Sequence, residues 1–115
     1  MLKRAFRLRR ANDLNKVYKF GKKSSAPNLY IKARHTNLPV SRLAVVVTKK
    51  VSKKATLRNR MKRQMSEVVR TNWQQIKPGF DIIVMITADT TKQKPSQTKA
   101  EALEALKKLA IIDKS

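Results

Sequence analysis

The stretch Leu57-Arg58-Asn59-Arg60-Met61-Lys62-Arg63 keeps apolar residues at helical spacing and fills the positions between them with cations. It closes the segment from Lys49 to Arg63, in which eight of fifteen residues are basic. At about 100° per residue, one side of the predicted helix is apolar; it carries Leu57, Met61, Met65, Val68 and Val69. The far side is basic. The segment therefore predicts an amphipathic helix that packs on a core and turns its cations outward.

The cations cluster at the start of this helix, where Thr56 is the predicted N-cap. Arg58 and Arg60 in the first turn oppose the helix dipole, which costs a few tenths of a kcal/mol. A phosphate bound by the free amides and the two guanidinium groups reverses the sign of that effect. A solvated basic face that only aids solubility is the alternative. The clustering favours nucleic-acid binding.

The composition of the chain also favours a polyanionic partner. The chain has 115 residues, which suits a single domain over residues 1–115, and no linker or shift in composition divides it. Its 28 Lys and Arg against 7 Asp and Glu give a net charge of +21, which predicts a polyanionic partner. The longest apolar runs, residues 43–47 and 82–86, are too short to span a bilayer. With no cysteine, the default location is cytoplasmic.

The remaining pattern predicts three helices and a small sheet. Residues 1–10 form a basic segment that we expect to begin as a mobile arm. Asn12 is the predicted N-cap of a first helix, and a left-handed Gly21 is predicted to end it. An edge strand is expected near residues 22–25, with further strands at 29–34, 43–48 and 81–87. Thr98 and Glu101 fit a capping box for a last helix, which is predicted to bury Ala102, Leu103, Leu106, Leu109 and Ala110.

The order of these elements predicts an α+β fold, a two-layer α-β sandwich in which three helices pack on a four-stranded sheet. In the strand at residues 29–34, Tyr30, Lys32 and Arg34 share one face, which is basic and aromatic. General rules for parallel strands favour a right-handed crossover through the basic helix.

No catalytic constellation is recognisable in the sequence. His35 is the only histidine, cysteine is absent, and the seven acids are scattered along the chain. Zinc sites, cysteine nucleophiles and Ser-His-Asp triads therefore have no basis. If the chain belongs to an enzyme, we expect the chemistry to lie outside it.

The segment from Lys49 to Arg63 resembles the signature of the protein subunit of bacterial ribonuclease P, with an Arg-Asn-Arg triplet followed by Lys-Arg. The basic run at residues 7–10, the segment from Asp13 to Gly21 and the Pro-Gly-Phe-Asp run at residues 78–81 also match. The resemblance thus covers nearly the whole chain. It implies a left-handed β-α-β crossover through the motif helix, which overrides the general rule.

The resemblance also implies where RNA binds. The family places its motif helix and adjacent cations against a catalytic RNA, which here assigns Arg58, Asn59, Arg60, Lys62, Arg63, Lys49, Lys50 and Lys54. It holds the single-stranded 5′ leader of precursor tRNA in a cleft between the first helix and the sheet, which assigns Leu14, Tyr18, Tyr30, Lys32 and Arg34. For Tyr18, ordinary core packing is the alternative.

Two positions depart from the family pattern. Leu14 stands where the family usually has the first cleft aromatic, so apolar contact replaces stacking there. The loop before the motif lacks a common glycine and has Ser52 and Lys53 instead.

The expected function is that of a protein subunit of ribonuclease P, an endoribonuclease that removes the tRNA 5′ leader through its RNA subunit. The partners implied are the catalytic RNA and precursor tRNA, with no membrane and no further protein required. No cofactor is expected on the protein, because the magnesium ions are held by the RNA. A small ribosomal protein is the first alternative, and a nucleoid-type DNA-binding protein is the second.

Overall fold

The computed structural model describes residues 3–112, which form three α-helices, four strands and three short 3-10 helices. In chain order they are α1 (Ala11–Phe20), β1 (Lys22–Ser25), β2 (Leu29–His35), β3 (Arg42–Val47), α2 (Ala55–Thr71), β4 (Phe80–Ile86) and α3 (Pro95–Lys108). The 3-10 helices cover Arg4–Phe6, Trp73–Gln75 and Thr90–Lys92. The predicted helices and strands are confirmed. No helix within residues 3–112 is both long and apolar enough to cross a membrane.

The four strands form one mixed sheet in the order β1-β2-β4-β3. β1 pairs antiparallel with β2, and β2 pairs antiparallel with β4. β3 and β4 are parallel neighbours, with Val45 opposite Val84. Parallel neighbours need a crossover connection, which here runs through α2. This β3-α2-β4 unit is the one for which the family resemblance implies a left-handed crossover.

One face of the sheet packs on α2 and α3. Alternate residues of β2, namely Leu29, Ile31 and Ala33, are buried on this face, as their spacing predicts. The apolar side of α2 meets them through Met61, Met65 and Val69. In α3 the prediction is confirmed for Ala102 and Leu106, whereas the helix ends at Lys108, before the exposed Ala110. Ile111 and Ile112 complete this core from beyond the helix end.

α1 covers part of the opposite face. Val17 packs there with Leu8 and Ile83, and Val17 and Ile83 are fully buried. The predicted two-layer sandwich therefore describes the sheet with α2 and α3, whereas α1 adds a helix on the other side. β4 places Ile82 toward one layer and Ile83 toward the other, and neither residue has exposed surface.

The N-terminal segment differs from the expected mobile arm over its described part, residues 3–10. Arg7 forms a parallel bridge with Leu43, and the Leu8 amide donates to the Leu43 carbonyl oxygen at 2.9 Å. Phe6 packs against Trp73, with ring centroids 5.4 Å apart. Apolar residues at two positions anchor the segment to both layers, and its basic side chains stay exposed. Met1 and Leu2 lie outside the described residues.

The predicted helix caps are wrong. α1, α2 and α3 begin before Asn12, Thr56 and Thr98, and their N-cap residues make no side-chain capping bond. Thr98 and Glu101 instead join a tertiary network. The Thr98 hydroxyl accepts from Gln93 at 2.7 Å, and the Glu101 carboxylate accepts from the Asn28 amide at 2.9 Å.

Gly21 ends α1 for a different reason from the predicted left-handed conformation. Its φ is −74°, which any residue adopts. A Cβ at this position would lie 2.4 Å from the Val17 carbonyl oxygen and 3.2 Å from that of Ala33. Glycine is required because the backbone passes so close to α1 and β2 as it enters β1.

A charged group links α1 to the sheet. The Arg42 guanidinium donates to both carboxylate oxygens of Asp81, at 2.8 and 2.7 Å, and to Asp13 of α1 at 3.3 Å. The Asp81 side chain is almost fully buried, at 2% exposure. The bond to Asp81, together with both negative charges, raises the pKa of Arg42 against the effect of its burial. Arg42 therefore stays charged and holds α1 over β3 and β4.

We predict that Asp81→Ala lowers the free energy of unfolding by about 3 kcal/mol, because it leaves Arg42 facing a buried site without its bidentate partner. Asp13→Ala is the matched control, and it should cost less than about 1 kcal/mol since Asp13 is more exposed and accepts a single, longer bond. Urea unfolding followed by circular dichroism measures both. Equal losses would contradict the central role of the Arg42–Asp81 pair.

Candidate nucleic-acid interface

The first surface that concentrates positive charge is the start of α2 with the loop before it. Asn59, Arg60 and Arg63 are exposed, as are the cations Lys49, Lys50 and Lys54 of the loop, while Arg58 and Lys62 are half-buried. Asn59, Lys62 and Arg63 line an open concavity of about 510 Å³ together with Thr56. These predicted residues are thus brought together on one side of α2.

Arg58 also holds the basic loop in place through a hydrogen bond. Its Nη1 donates to the Ser52 carbonyl oxygen at 2.9 Å, and the Ser52 hydroxyl accepts from the Lys54 amide at 3.2 Å. These two bonds fold the basic loop back onto the first turn of α2. Ser52 therefore takes part in fixing the loop through both its carbonyl oxygen and its hydroxyl.

Cations at the start of α2 form no close ion pair within the described chain, although the pKa of Asp89 is lowered by the hydrogen bonds from Thr91 and then by the charges of Lys92 and Arg60. No carboxylate of residues 3–112 forms an ion pair with Arg58, Arg60 or Arg63. At the other end of the helix, Arg70 is paired with Glu67, and Arg70 Nε lies 3.0 Å from both carboxylate oxygens. Charge is thus compensated at the end of α2 and left available at its start, where a phosphate also meets free helix amides.

The second surface is a cleft between α1 and the sheet. Lys32 Nζ donates to the Tyr18 carbonyl oxygen at 3.0 Å and lies 5.9 Å from the centre of the Tyr18 ring. Tyr18 and Leu14 of α1 are half-buried and pack beside Val17 and Ile83. Tyr18 therefore contacts the core and keeps part of its ring accessible. Core packing and a role in the cleft, the two interpretations that the sequence left open for Tyr18, are thus compatible.

Tyr30 lies close to Tyr18. Partial burial, and then the nearby Tyr30, raise the pKa of the Tyr18 hydroxyl, which therefore stays protonated and able to donate at neutral pH. Lys23 Nζ lies 4.4 Å from the centre of the Tyr30 ring. Lys23 is directly opposite Lys32 in the β1–β2 register, so the two amines flank the tyrosines on one face.

Strand register shows where the cleft is open. Tyr30 pairs with Met85, and Met85 pairs with Val46, which gives a half-buried row across three strands. This row lies at the sheet end where β3 leads into the basic loop. The open end of the cleft and the start of α2 therefore lie at the same end of the sheet, where β3 finishes.

Arg34 is not brought to this open end. It shares the face of Lys32, but it lies four residues along β2 from Tyr30 and lines a separate cavity with Phe20 and His35. Sequence reasoning missed Lys23, although the position of Lys23 before an inward Ser24 in an edge strand is a signal that could have revealed it. It also missed the Arg42 link, because cross-strand pairing is not visible in one sequence.

The geometry thus combines two basic surfaces with no acidic cluster between them. Among residues 3–112, no three His, Cys, Asp or Glu side chains are placed to hold a metal ion together.

A comparison with known protein families identifies the chain. The model of the family described as Ribonuclease P matches residues 2–110. The chain belongs to the ribonuclease P protein family.

Individual family members agree with this assignment. The chain is 40% identical over 86 residues to the ribonuclease P protein component of Synechocystis sp., covering 74% of this chain and 69% of that one. It is 40% identical over 93 residues to that of Pseudanabaena sp., covering 80% of each chain. The solved ribonuclease P protein of Thermotoga maritima superposes with a TM-score of 0.81 at 31% identity, over 89% of this chain and 96% of that one.

The fold is shared more widely than the sequence. The ribonuclease P protein of Staphylococcus aureus superposes with a TM-score of 0.84 at 23% identity, over 96% of this chain and all of that one. The α+β fold with three helices on a four-stranded mixed sheet is therefore the fold of this family.

We predict that Arg60→Ala lowers the slope of log binding constant against log salt by about 1 when structured RNA is bound. Arg70→Ala is the matched control on the same helix, and its effect on the slope should be smaller since Glu67 already compensates that guanidinium. Filter binding over a salt series measures both slopes. Equal changes for the two variants would place the RNA elsewhere on α2.

Proposed function

We propose that this chain is the protein component of ribonuclease P, that it binds the catalytic RNA through the start of α2, and that it holds the 5′ leader of precursor tRNA in the cleft beneath α1. The observation that carries the proposal is the family match over residues 2–110 on a fold whose cations collect at these two adjoining surfaces. We place the protein in the cytoplasm, acting as one domain and needing no further protein partner.

The chain's contribution is to position RNA and to neutralise its charge. Arg60, Arg63 and the loop lysines are exposed, and no described carboxylate forms a close ion pair with them, so they offer phosphate contacts. Arg58 holds the basic loop in place, so the contacts are set before RNA arrives. Preorganised charge reduces the ordering cost of binding. The cleavage chemistry and its magnesium ions belong to the RNA subunit.

The cleft suits an unpaired strand. A leader nucleotide would stack against Tyr18 or Tyr30, while Lys32 and Lys23 reach its phosphates. Leu14 supplies apolar contact at the position where the family usually stacks an aromatic. Because stacking accepts any base, this arrangement holds leaders of many sequences.

Composition alone also allowed a small ribosomal protein. Neither the fold nor the matched relatives favour that alternative, since the relatives named above are ribonuclease P proteins. The DNA-binding alternative has no support from these comparisons either.

Reconstitution tests the proposal. Precursor tRNA is cleaved by a bacterial ribonuclease P RNA at low magnesium, with and without this protein. We expect the protein to stimulate cleavage at the 5′ maturation site, because charge neutralisation replaces part of the magnesium requirement. Tight binding of the RNA without stimulation would contradict the proposal and favour a ribosomal role.

For the cleft, we predict that Tyr18→Ala weakens holoenzyme binding of precursor tRNA by about 1 to 3 kcal/mol, the contribution of one base stacked on an aromatic ring. Tyr18→Phe is the matched control and should keep most of the affinity, since it retains the ring. Equilibrium binding of precursor and mature tRNA measures the effect. Equal losses for mature tRNA, which lacks a leader, would exclude a leader-specific role.

A further inference from the structure

Phe20, at the last position of α1, has most of its side chain in solvent. Its exposure is 65%, and Leu38 at 42% is the other large apolar residue of the described chain that is exposed. A phenylalanine ring that is left in water forgoes the stabilisation that burial would give it. Single exposed apolar residues are common and need no explanation by themselves. The surroundings of Phe20 are what distinguish it.

Phe20 borders a cavity of about 340 Å³ at one end of the sheet. The cavity is lined by Phe20, Lys22, Arg34, His35, Phe80 and Leu109, together with two alanines. His35 and Phe80 meet edge to face, with ring centroids 5.0 Å apart. The cavity therefore has aromatic walls formed by an ordered pair and an exposed ring at its rim.

The charge around this cavity is positive. Lys22 and Arg34 line it, and Lys19 Nζ lies 5.4 Å from the centre of the Phe20 ring. None of the lining residues is acidic. An exposed ring beside several cations is the combination that binds unpaired nucleotides, because the base stacks on the ring and the phosphate meets the cations.

The position of Phe20 is fixed by the backbone. The Gly21 amide donates to the Val17 carbonyl oxygen at 2.8 Å, and the chain then enters β1 in close contact with β2.

The cavity lies at the opposite end of β2 from the open end of the cleft. Arg34 lies four positions along β2 from Tyr30, which is about 13 Å along a strand.

We propose that this cavity, bounded by Phe20, Lys22 and Arg34, is a second binding site for single-stranded RNA, separate from the cleft at Tyr18. It takes one unpaired nucleotide, with the base stacked on Phe20 and the phosphate held by Lys22 and Arg34. The proposal rests on the RNA-binding function proposed above. It adds Phe20 and Lys22, which the family resemblance did not assign, and it moves Arg34 from the leader cleft to this second site.

The test measures binding of the full-length protein to a fluorescently labelled single-stranded RNA and to an RNA duplex of equal charge. Phe20→Ala should weaken single-strand binding about 5-fold or more and leave duplex binding unchanged. Phe20→Trp should retain the affinity, and the indole emission that it adds to that of Trp73 in the wild type should be quenched as a base stacks on it. Leu38→Ala, the control at the other exposed apolar residue, should change neither affinity.

Unchanged single-strand binding by Phe20→Ala would overturn the proposal, as would equal losses on the two RNAs. Loss of affinity in Phe20→Trp equal to that in Phe20→Ala would exclude stacking. The wild-type protein is assayed in parallel for stimulation of ribonuclease P RNA. Stimulation with no effect at Phe20 removes the second site alone, whereas failure of stimulation removes the proposed function whatever the binding data show.

Discussion

Strand β4 is buried on both faces over residues 81–84, and the rest of the structure follows from this constraint. Ile82 and Ile83 point to opposite faces, and both are fully buried. Each contributes about 1.5 to 3 kcal/mol only if its face is covered. α2 and α3 cover one face, while α1 and Leu8 cover the other. The charged Arg42 then fixes where α1 lies, through Asp81 of the sheet and Asp13 of the helix.

Because the helices cover the sheet incompletely, two basic surfaces remain, and these are the surfaces proposed to bind RNA. α1 has ten residues, and it leaves the row of Tyr30, Met85 and Val46 half-buried. α2 is buried along one side only, so its cations lie on the surface beside the loop that connects it to β3. The parallel pairing of β3 and β4 sends that loop to the sheet edge where the cleft opens. Apolar burial and topology together thus bring two basic surfaces next to each other.

Much of this fold could be predicted from the sequence, because the spacing of apolar residues along one helix or one strand is a local feature. The buried side of α2 and the alternation in β2 were predicted from spacing alone, and the motif around Asn59 identified the family. The start of α3 was mispredicted because Thr98 and Glu101, which fit a capping box, are used in tertiary bonds instead. The packing of Phe6 and Leu8 was missed, since a cation-rich segment hides two apolar anchors. Where Arg34 lies depends on strand register, which one sequence does not reveal.

The central claim is that the two surfaces contact different RNAs. The chain has no cysteine, so single cysteines placed at the exposed positions Asn15 and Asn59 can each carry a photocrosslinker without competing sites. The measurement is crosslinking in the complex of protein, ribonuclease P RNA and precursor tRNA. A crosslinker beside Leu14 on α1 should label the leader, and one on α2 should label the RNA subunit. Labelling of the same RNA from both positions would contradict this division.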